Sequence, residues 1–338
     1  MAVRTTCVGS WPPPFGQRPA LRPFWRGEVD ETDPAIDAAL TAGARVAMDE
    51  MLACDLDQIT GGEVFTPDFV HTVPPRLDGL AVVEARDIDR GQSGVARYSI
   101  AGPITAPRGM GHAAAWARES AIEPQLDKAA IPSPFTITLS FPRDPALATG
   151  LADLVGVVRD EIAEMTSAEG VREPAEVQLD APSEAIACAH DTHPVEQLAE
   201  LIAAPFEGFE GVRSVHFCLG DIARKPSTQV QNLHSLVPLI QALEGRIDRA
   251  HLECSYAGQW ADRGLLTEIP DSIEVIAGIA DVKADPASEG ELAARIDALL
   301  DVVPEDRLLV SSSCGCGRVP HDDAIRLMRN LVKAAHRG

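Results

Sequence analysis

Ser214-Val215-His216-Phe217-Cys218-Leu219 reads as a strand that carries an imidazole and a thiol two residues apart. Successive side chains of a strand point to opposite faces, so His216 and Cys218 share a face, about 7 Å apart along the chain. Val215 and Phe217 take the other face and are free to pack. A histidine beside a cysteine is half of a zinc site. The fold follows from asking what brings further ligands to the same place.

Similar short apolar runs recur on both sides of this stretch. They read as strands at Thr5–Ser10, Leu56–Thr60, Pro134–Ser140, Glu176–Asp180, Arg249–Cys254, Ile273–Ile279 and Leu308–Ser313. Helical spacing of apolar residues falls between most of them, at about Asp33–Leu56, Asp144–Ala168, Pro194–Ala203, Val230–Leu243, Ser288–Val302 and His321–His336. Eight strands alternating with helices predict an α/β protein with a (β/α)8 TIM barrel, one domain over residues 1–338. Residues 64–133 are too long for an ordinary strand-to-helix connection and read as an insertion between strands 2 and 3 that caps the barrel mouth. That segment holds Pro74-Pro75, a strand at Val95–Ile100, a turn at Ala101–Pro107 and a helix near His112–Ser120.

The chain has 338 residues, 45% of them apolar, which is ample for a buried core. Its net charge of −22 excludes a generally basic nucleic-acid-binding surface. No apolar run reaches the roughly 18 residues of a membrane span, and Met1–Thr6 lacks a secretory apolar region. Seven cysteines, an odd number without framework spacing, point to reduced thiols and a cytoplasmic protein. Dinucleotide and triphosphate loops are absent: no Gly-x-Gly-x-x-Gly opens a helix, and there is no Walker motif.

In a barrel, chemistry collects at the C-terminal ends of the strands. Those ends carry Ser10, Glu63, Asp180, His216, Cys218, Glu253 and Cys314. Two thiolates and an imidazole select zinc over magnesium or calcium, and Glu253 would add an oxygen. Ligands this dispersed converge only if the barrel closes, a pattern of catalytic rather than structural zinc. Cys316 competes with Cys314 for the last position. Cys7, Cys54, Cys188 and Cys254 read as core. His251 shares a face with Glu253, and His71, His112, His190, His193, His234, His321 and His336 read as surface or loop residues.

With these residues in place, the chain resembles the C-terminal catalytic barrel of cobalamin-independent methionine synthase. The likeness runs from Thr5 to about Ala335. Thr5-Thr6-Cys7-Val8-Gly9-Ser10-Trp11-Pro12 is similar to the family's Thr-Thr-x-x-Gly-Ser-x-Pro, and Gly62-Glu63 to its Gly-Glu. Ser140-Phe141-Pro142-Arg143, Arg159-Asp160-Glu161-Ile162 and Gln178-Leu179-Asp180-Ala181-Pro182 follow in order. His216-Phe217-Cys218, Glu253-Cys254-Ser255 and Ser313-Cys314-Gly315 fall where that family carries its zinc ligands.

The resemblance implies a catalytic zinc on His216, Cys218, Glu253 and Cys314 that activates the thiol of homocysteine for methylation to methionine. It implies that Glu63 and Asp180 pair with the substrate ammonium and that the backbone near Ser10 meets its carboxylate. The family's Asp-x-His-Ser reads Asp281-Val282-Lys283-Ala284 here, so Lys283 stands where a histidine delivers a proton to the departing donor. A lysine does this only with a depressed pKa. The donor expected is therefore either a small molecule, methyltetrahydrofolate, or a methyl-corrinoid, free or on a protein. Two other readings stand beside this one. One is a zinc-dependent thiol alkyltransferase acting on coenzyme M. The other is a zinc-binding accessory protein without activity.

Overall fold

The run Glu176–Asp180 shows how the sheet is made. Val177 and Leu179 face one way into apolar packing, while Glu176, Gln178 and Asp180 face the other, and all five are buried. A strand buried on both faces belongs inside a parallel sheet covered by helices. The computed structural model describes residues 2–13, 18–25, 29, 32–66, 70, 72–84, 96–141, 146–221, 224–230 and 232–337. The expectations for Pro14, His71, Val95, Pro142 and Arg143 lie outside them.

Nine strands are formed among the described residues: β1 (Arg4–Thr5), β2 (Asp78–Glu84), β3 (Arg97–Thr105), β4 (Lys128–Pro132), β5 (Glu176–Asp180), β6 (Val212–Phe217), β7 (Arg249–Glu253), β8 (Glu274–Ala280) and β9 (Leu308–Ser312). Seven build one curled sheet in the order β1-β9-β8-β7-β6-β5-β4. All six pairings in it are parallel. Helices fall between most consecutive strands, the longest being Pro34–Ala53 and Leu147–Ser167.

Two of the expected strands are corrected. Pro134–Ser140 is helical, not extended. Its Thr and Ile residues mimic a strand, but Ser133 caps the helix by accepting from Thr136 N, and Pro134 suits the first helical turn. The third sheet strand lies upstream at Lys128–Pro132 instead, inside the range 64–133 read as an insertion. Leu56–Thr60 is not a ladder strand, although Gln58 N donates to Thr5 O at 3.2 Å and Thr60 Oγ1 to Gly9 O at 2.7 Å. This segment therefore runs beside β1 at the open edge of the sheet. Within 64–133, β2 and β3 form a separate antiparallel hairpin, and a helix follows at His112–Ile122.

The register lines up polar rows across the sheet. Asp180 pairs with His216, and His216 with His251. One end of the sheet is tied by buried charge. Glu176 pairs with Arg249 and lies 3.8 Å from Lys128, while Gln58 Nε2 donates to it at 2.9 Å. The opposite end, where the strands finish, carries the candidate chemistry. No helix among the described residues is long and apolar enough to cross a membrane.

Candidate metal centre and substrate pocket

His216 and Cys218 arrive from the end of β6, and Cys314 from the turn after β9. Their ligand atoms all lie within 4.8 Å of one another. The two sulfurs are 3.9 Å apart. The imidazole is held by its Nδ1, 3.1 Å from Asp180 Oδ1. Its Nε2 is buried and has no hydrogen-bond partner. A carboxylate on one ring nitrogen and a free second nitrogen is the arrangement of a metal-ligating histidine. Asp180 is itself fixed, because Gln178 Nε2 donates to its Oδ1 at 2.7 Å and to Val8 O at 2.9 Å. The three side chains thus fit a divalent metal with two soft ligands and one borderline ligand.

The local charges favour a thiolate on Cys314 beside a Cys218 thiol. The contact with the Cys218 thiol, and then the Lys283 and His216 charges, hold Cys314 down at about 7 against the opposing effect of burial. Cys218 is pushed up by the same Cys314 contact and by burial, and Gly220 N points at its sulfur from 3.4 Å. Burial alone would lower the His216 pKa, but its bond to Asp180 together with the Asp180, Cys314 and Glu253 charges outweighs this and raises it.

Glu253, at the end of β7, is not one of the three clustered residues. Both of its oxygens are already engaged. Lys283 Nζ donates to Oε1 at 2.5 Å and Leu219 N to Oε2 at 2.9 Å. Burial alone would depress the Lys283 ammonium, but the Cys314 and Glu253 charges beside it raise its pKa instead. The depressed pKa that proton delivery requires is therefore not what its neighbours produce. Asp281 Oδ1 accepts from Lys283 N at 2.8 Å and fixes the base of that lysine.

Cys316 is buried in the apolar core, its thiol pushed up to about 12 by burial, so Cys314 is the thiol that meets Cys218. Ser10 braces this turn: Cys316 N donates to Ser10 O at 2.9 Å and Gly317 N to Ser10 Oγ at 3.2 Å. A Cβ at Gly315 would fall 2.2 Å from Ser10 Oγ, so a larger residue there would push that hydroxyl off Gly317 N.

Gly62 and Glu63 both have left-handed backbone, φ 75° and 55°. The turn delivers the Glu63 carboxyl against Gly9, where an added Cβ would lie 2.0 Å from Oε1. Burial, and next the Asp180 charge, push Glu63 well above the usual carboxylate range. An arriving ammonium would relieve that and restore the carboxylate.

Two residues of this pocket went unread in the sequence. Glu119, on the helix after β3, sits against Gly61 and lines a cavity together with Glu63, His112 and Lys128. Burial pushes it to about 8. His112, expected at the surface, is buried with both ring nitrogens unpartnered, and burial lowers it to about 4. His251 packs its ring 4.6 Å from that of His216 and meets Ser312 O through Nε2 at 3.2 Å. Position in the chain could not reveal Glu119 or His112, because only the tertiary approach of their helix to Gly61 brings them in.

The comparisons with known proteins point to one family. The family model described as cobalamin-independent synthase, catalytic domain, matches residues 3–337. A 5-methyltetrahydropteroyltriglutamate–homocysteine methyltransferase from Nitratidesulfovibrio vulgaris is 28% identical over 345 aligned positions, covering 98% of this chain and 41% of that protein. The chain thus spans about two-fifths of the curated relative's length. Among solved structures, a B12-independent methionine synthase from a Shewanella species, in complex with selenomethionine, has a TM-score of 0.78 at 18% identity, covering 99% of this chain and 97% of that one. A putative vitamin-B12 independent methionine synthase from Listeria monocytogenes has a TM-score of 0.70 at 21% identity, covering 99% and 98%. At these identities the structural likenesses speak for the fold.

Proposed function

The chain belongs to the cobalamin-independent synthase catalytic-domain family, and on that premise we propose that it is a zinc-dependent S-methyltransferase converting homocysteine to methionine. The observation that carries the reading is the His216 imidazole, anchored to Asp180 through Nδ1 with Nε2 free beside two thiols. His216, Cys218 and Cys314 would hold the metal. When bound, zinc supplies a Lewis acid that turns a thiol of pKa about 8.5 into a thiolate at neutral pH.

The protein's own residues then do the rest. Glu63 and Asp180 receive the ammonium of an amino-acid substrate. The Ser10 loop, pinned to the Cys316 turn, offers backbone to the carboxylate. In the transfer, the substrate sulfur forms a bond to the methyl carbon as the bond from that carbon to the donor breaks, and the thiol proton leaves to solvent or base. The sheet and its flanking helices are read as a (β/α)8-type barrel, with Leu56–Thr60 in the second strand position and the β2–β3 hairpin in a cap over the mouth. The relatives' names point to a small-molecule donor and lend no support to a corrinoid protein. Buried carboxylates at Glu63 and Asp180 favour an amino-acid thiol over coenzyme M, whose sulfonate has no ammonium to satisfy them.

The experiment is a methyl-transfer assay on the zinc-loaded protein. Homocysteine is offered with methyltetrahydrofolate, its triglutamate form or free methylcobalamin. Methionine formed with any one donor, and lost on chelation, supports the reading. No methionine with all three, or product only when coenzyme M replaces homocysteine, overturns it.

A further inference from the structure

The turn Gly61-Gly62-Glu63 has left-handed backbone at its last two residues, and Glu63 is not a glycine. Such a conformation persists only where its surroundings hold it. Trp11 N donates to Gly62 O at 3.0 Å, and Thr60 Oγ1 accepts from Gly62 N at 3.3 Å. The third support is Glu119 on the helix His112–Ile122, whose carboxyl fills the space that a side chain at Gly61 would need. Glu119 and Glu63 line one cavity of about 20 Å³. His112 lines it as well, seven residues before Glu119 and so on the same face of the helix. Its imidazole is 4% exposed, and neither ring nitrogen has a partner. The neighbouring polar groups are committed elsewhere: Lys128 Nζ donates to Cys7 O at 2.9 Å and Thr60 Oγ1 to Gly9 O at 2.7 Å. A neutral imidazole offers one donor and one acceptor, and burying both unpaired is costly. A polar cavity of this size is large enough for a water molecule to satisfy them.

We propose that Glu119 is a positioning residue that, with a water it shares with His112, holds the Glu63 carboxylate in place for the substrate ammonium. The proposal rests on the amino-acid-thiol reading and adds to Glu63 and Asp180 a third residue that acts through the first. The charges support it. Burial holds Glu119 at about 8, and only the Arg118 charge opposes this. At neutral pH it is therefore mostly uncharged and brings hydrogen bonding to the turn without a further negative charge. An ionised Glu119 would add its repulsion to that of Asp180 and push Glu63 further up. A Glu63 kept protonated in that way would have no charge to offer the ammonium.

The test uses the full chain loaded with zinc and measures, by calorimetry, the binding of L-homocysteine and of 4-sulfanylbutanoate, which differs from it only in lacking the ammonium. Glu119→Leu keeps the bulk and removes the hydrogen bonds. It should weaken homocysteine by about tenfold or more, the scale of a hydrogen bond to a charged group, and leave 4-sulfanylbutanoate within about threefold. The conservative Glu119→Gln, which still reaches the water, should recover the preference for homocysteine. A crystal structure should show ordered water within hydrogen-bond reach of His112 and Glu119. If Glu119→Leu does not fold, Glu119→Ala gives the same comparison. Unchanged homocysteine affinity in the variant that folds, an equal loss for the two thiols, or a dry cavity overturns the proposal. Wild-type protein that binds the two thiols equally would instead overturn the amino-acid reading, and the role of Glu119 with it.

Discussion

Asp180 Oδ1 and His216 Nδ1 lie 3.1 Å apart on adjacent, register-paired strands, and this contact decides which nitrogen of the imidazole is left to bind. The tautomer and ring orientation of a ligating histidine are set by such an outer partner. Asp180→Ala should therefore weaken zinc binding by about 10- to 100-fold although Asp180 is not itself in the cluster. Chelator competition measures this. Unchanged affinity would mean that the ring is oriented by packing against His251 alone.

Gly61 and Glu119 are coupled by space. An alanine Cβ at position 61 would fall 1.9 Å from the Glu119 carboxyl carbon. Gly61→Ala should cost about 1–3 kcal/mol, the usual range for overpacking. Combined with Glu119→Ala it should cost clearly less than the sum of the two single changes. Denaturant titration of the four proteins gives the coupling, and strict additivity would refute the contact.

The same glutamate predicts a pH dependence. Burial holds Glu119 at about 8 in the folded protein, against about 4.3 in an unfolded chain. Between those values the folded state binds more protons than the unfolded one, so stability falls as pH rises through the window. Glu119→Gln removes that loss. Its melting temperature relative to wild type should rise steadily from pH 5 to about pH 9. A difference that stays flat with pH contradicts the burial argument.

At the other end of the sheet, Glu176 serves Arg249, Lys128 and Gln58 at once. Glu176→Gln breaks a buried ion pair and should destabilise by about 3–5 kcal/mol. Zinc stoichiometry of the folded protein should not change, because the strand ends that carry the metal ligands lie at the opposite end of the sheet. Loss of zinc in a still-folded variant would show that the two ends are coupled.

Much of this molecule could be read along the chain. Glu176–Asp180, Val212–Phe217, Arg249–Glu253 and Leu308–Ser312 alternate as strands do, and His216, Cys218 and Cys314 stand where such strands end. Lys128–Pro132 escaped notice because Lys-Ala-Ala-Ile-Pro has neither a β-branched run nor an obvious place for its charge. That charge is satisfied only in three dimensions, by Cys7 O at 2.9 Å and by Glu176. Pro134–Ser140 misled in the other direction, with strand-like residues governed by a helix cap. At the site, strand position placed Glu253 beside the metal ligands and the family resemblance singled out Lys283 for proton delivery, but neither reading paired the two. That lysine reaches Glu253 from a different strand's loop and occupies one of its oxygens.

The central claim is that His216, Cys218 and Cys314 hold a zinc that takes a substrate thiol. X-ray absorption at the zinc edge tests it most directly by counting sulfur neighbours. The account predicts two sulfurs in the resting protein, three after addition of L-homocysteine, and one in resting Cys314→Ser. A sulfur count that does not rise with homocysteine, or that stays at two in Cys314→Ser, would contradict it.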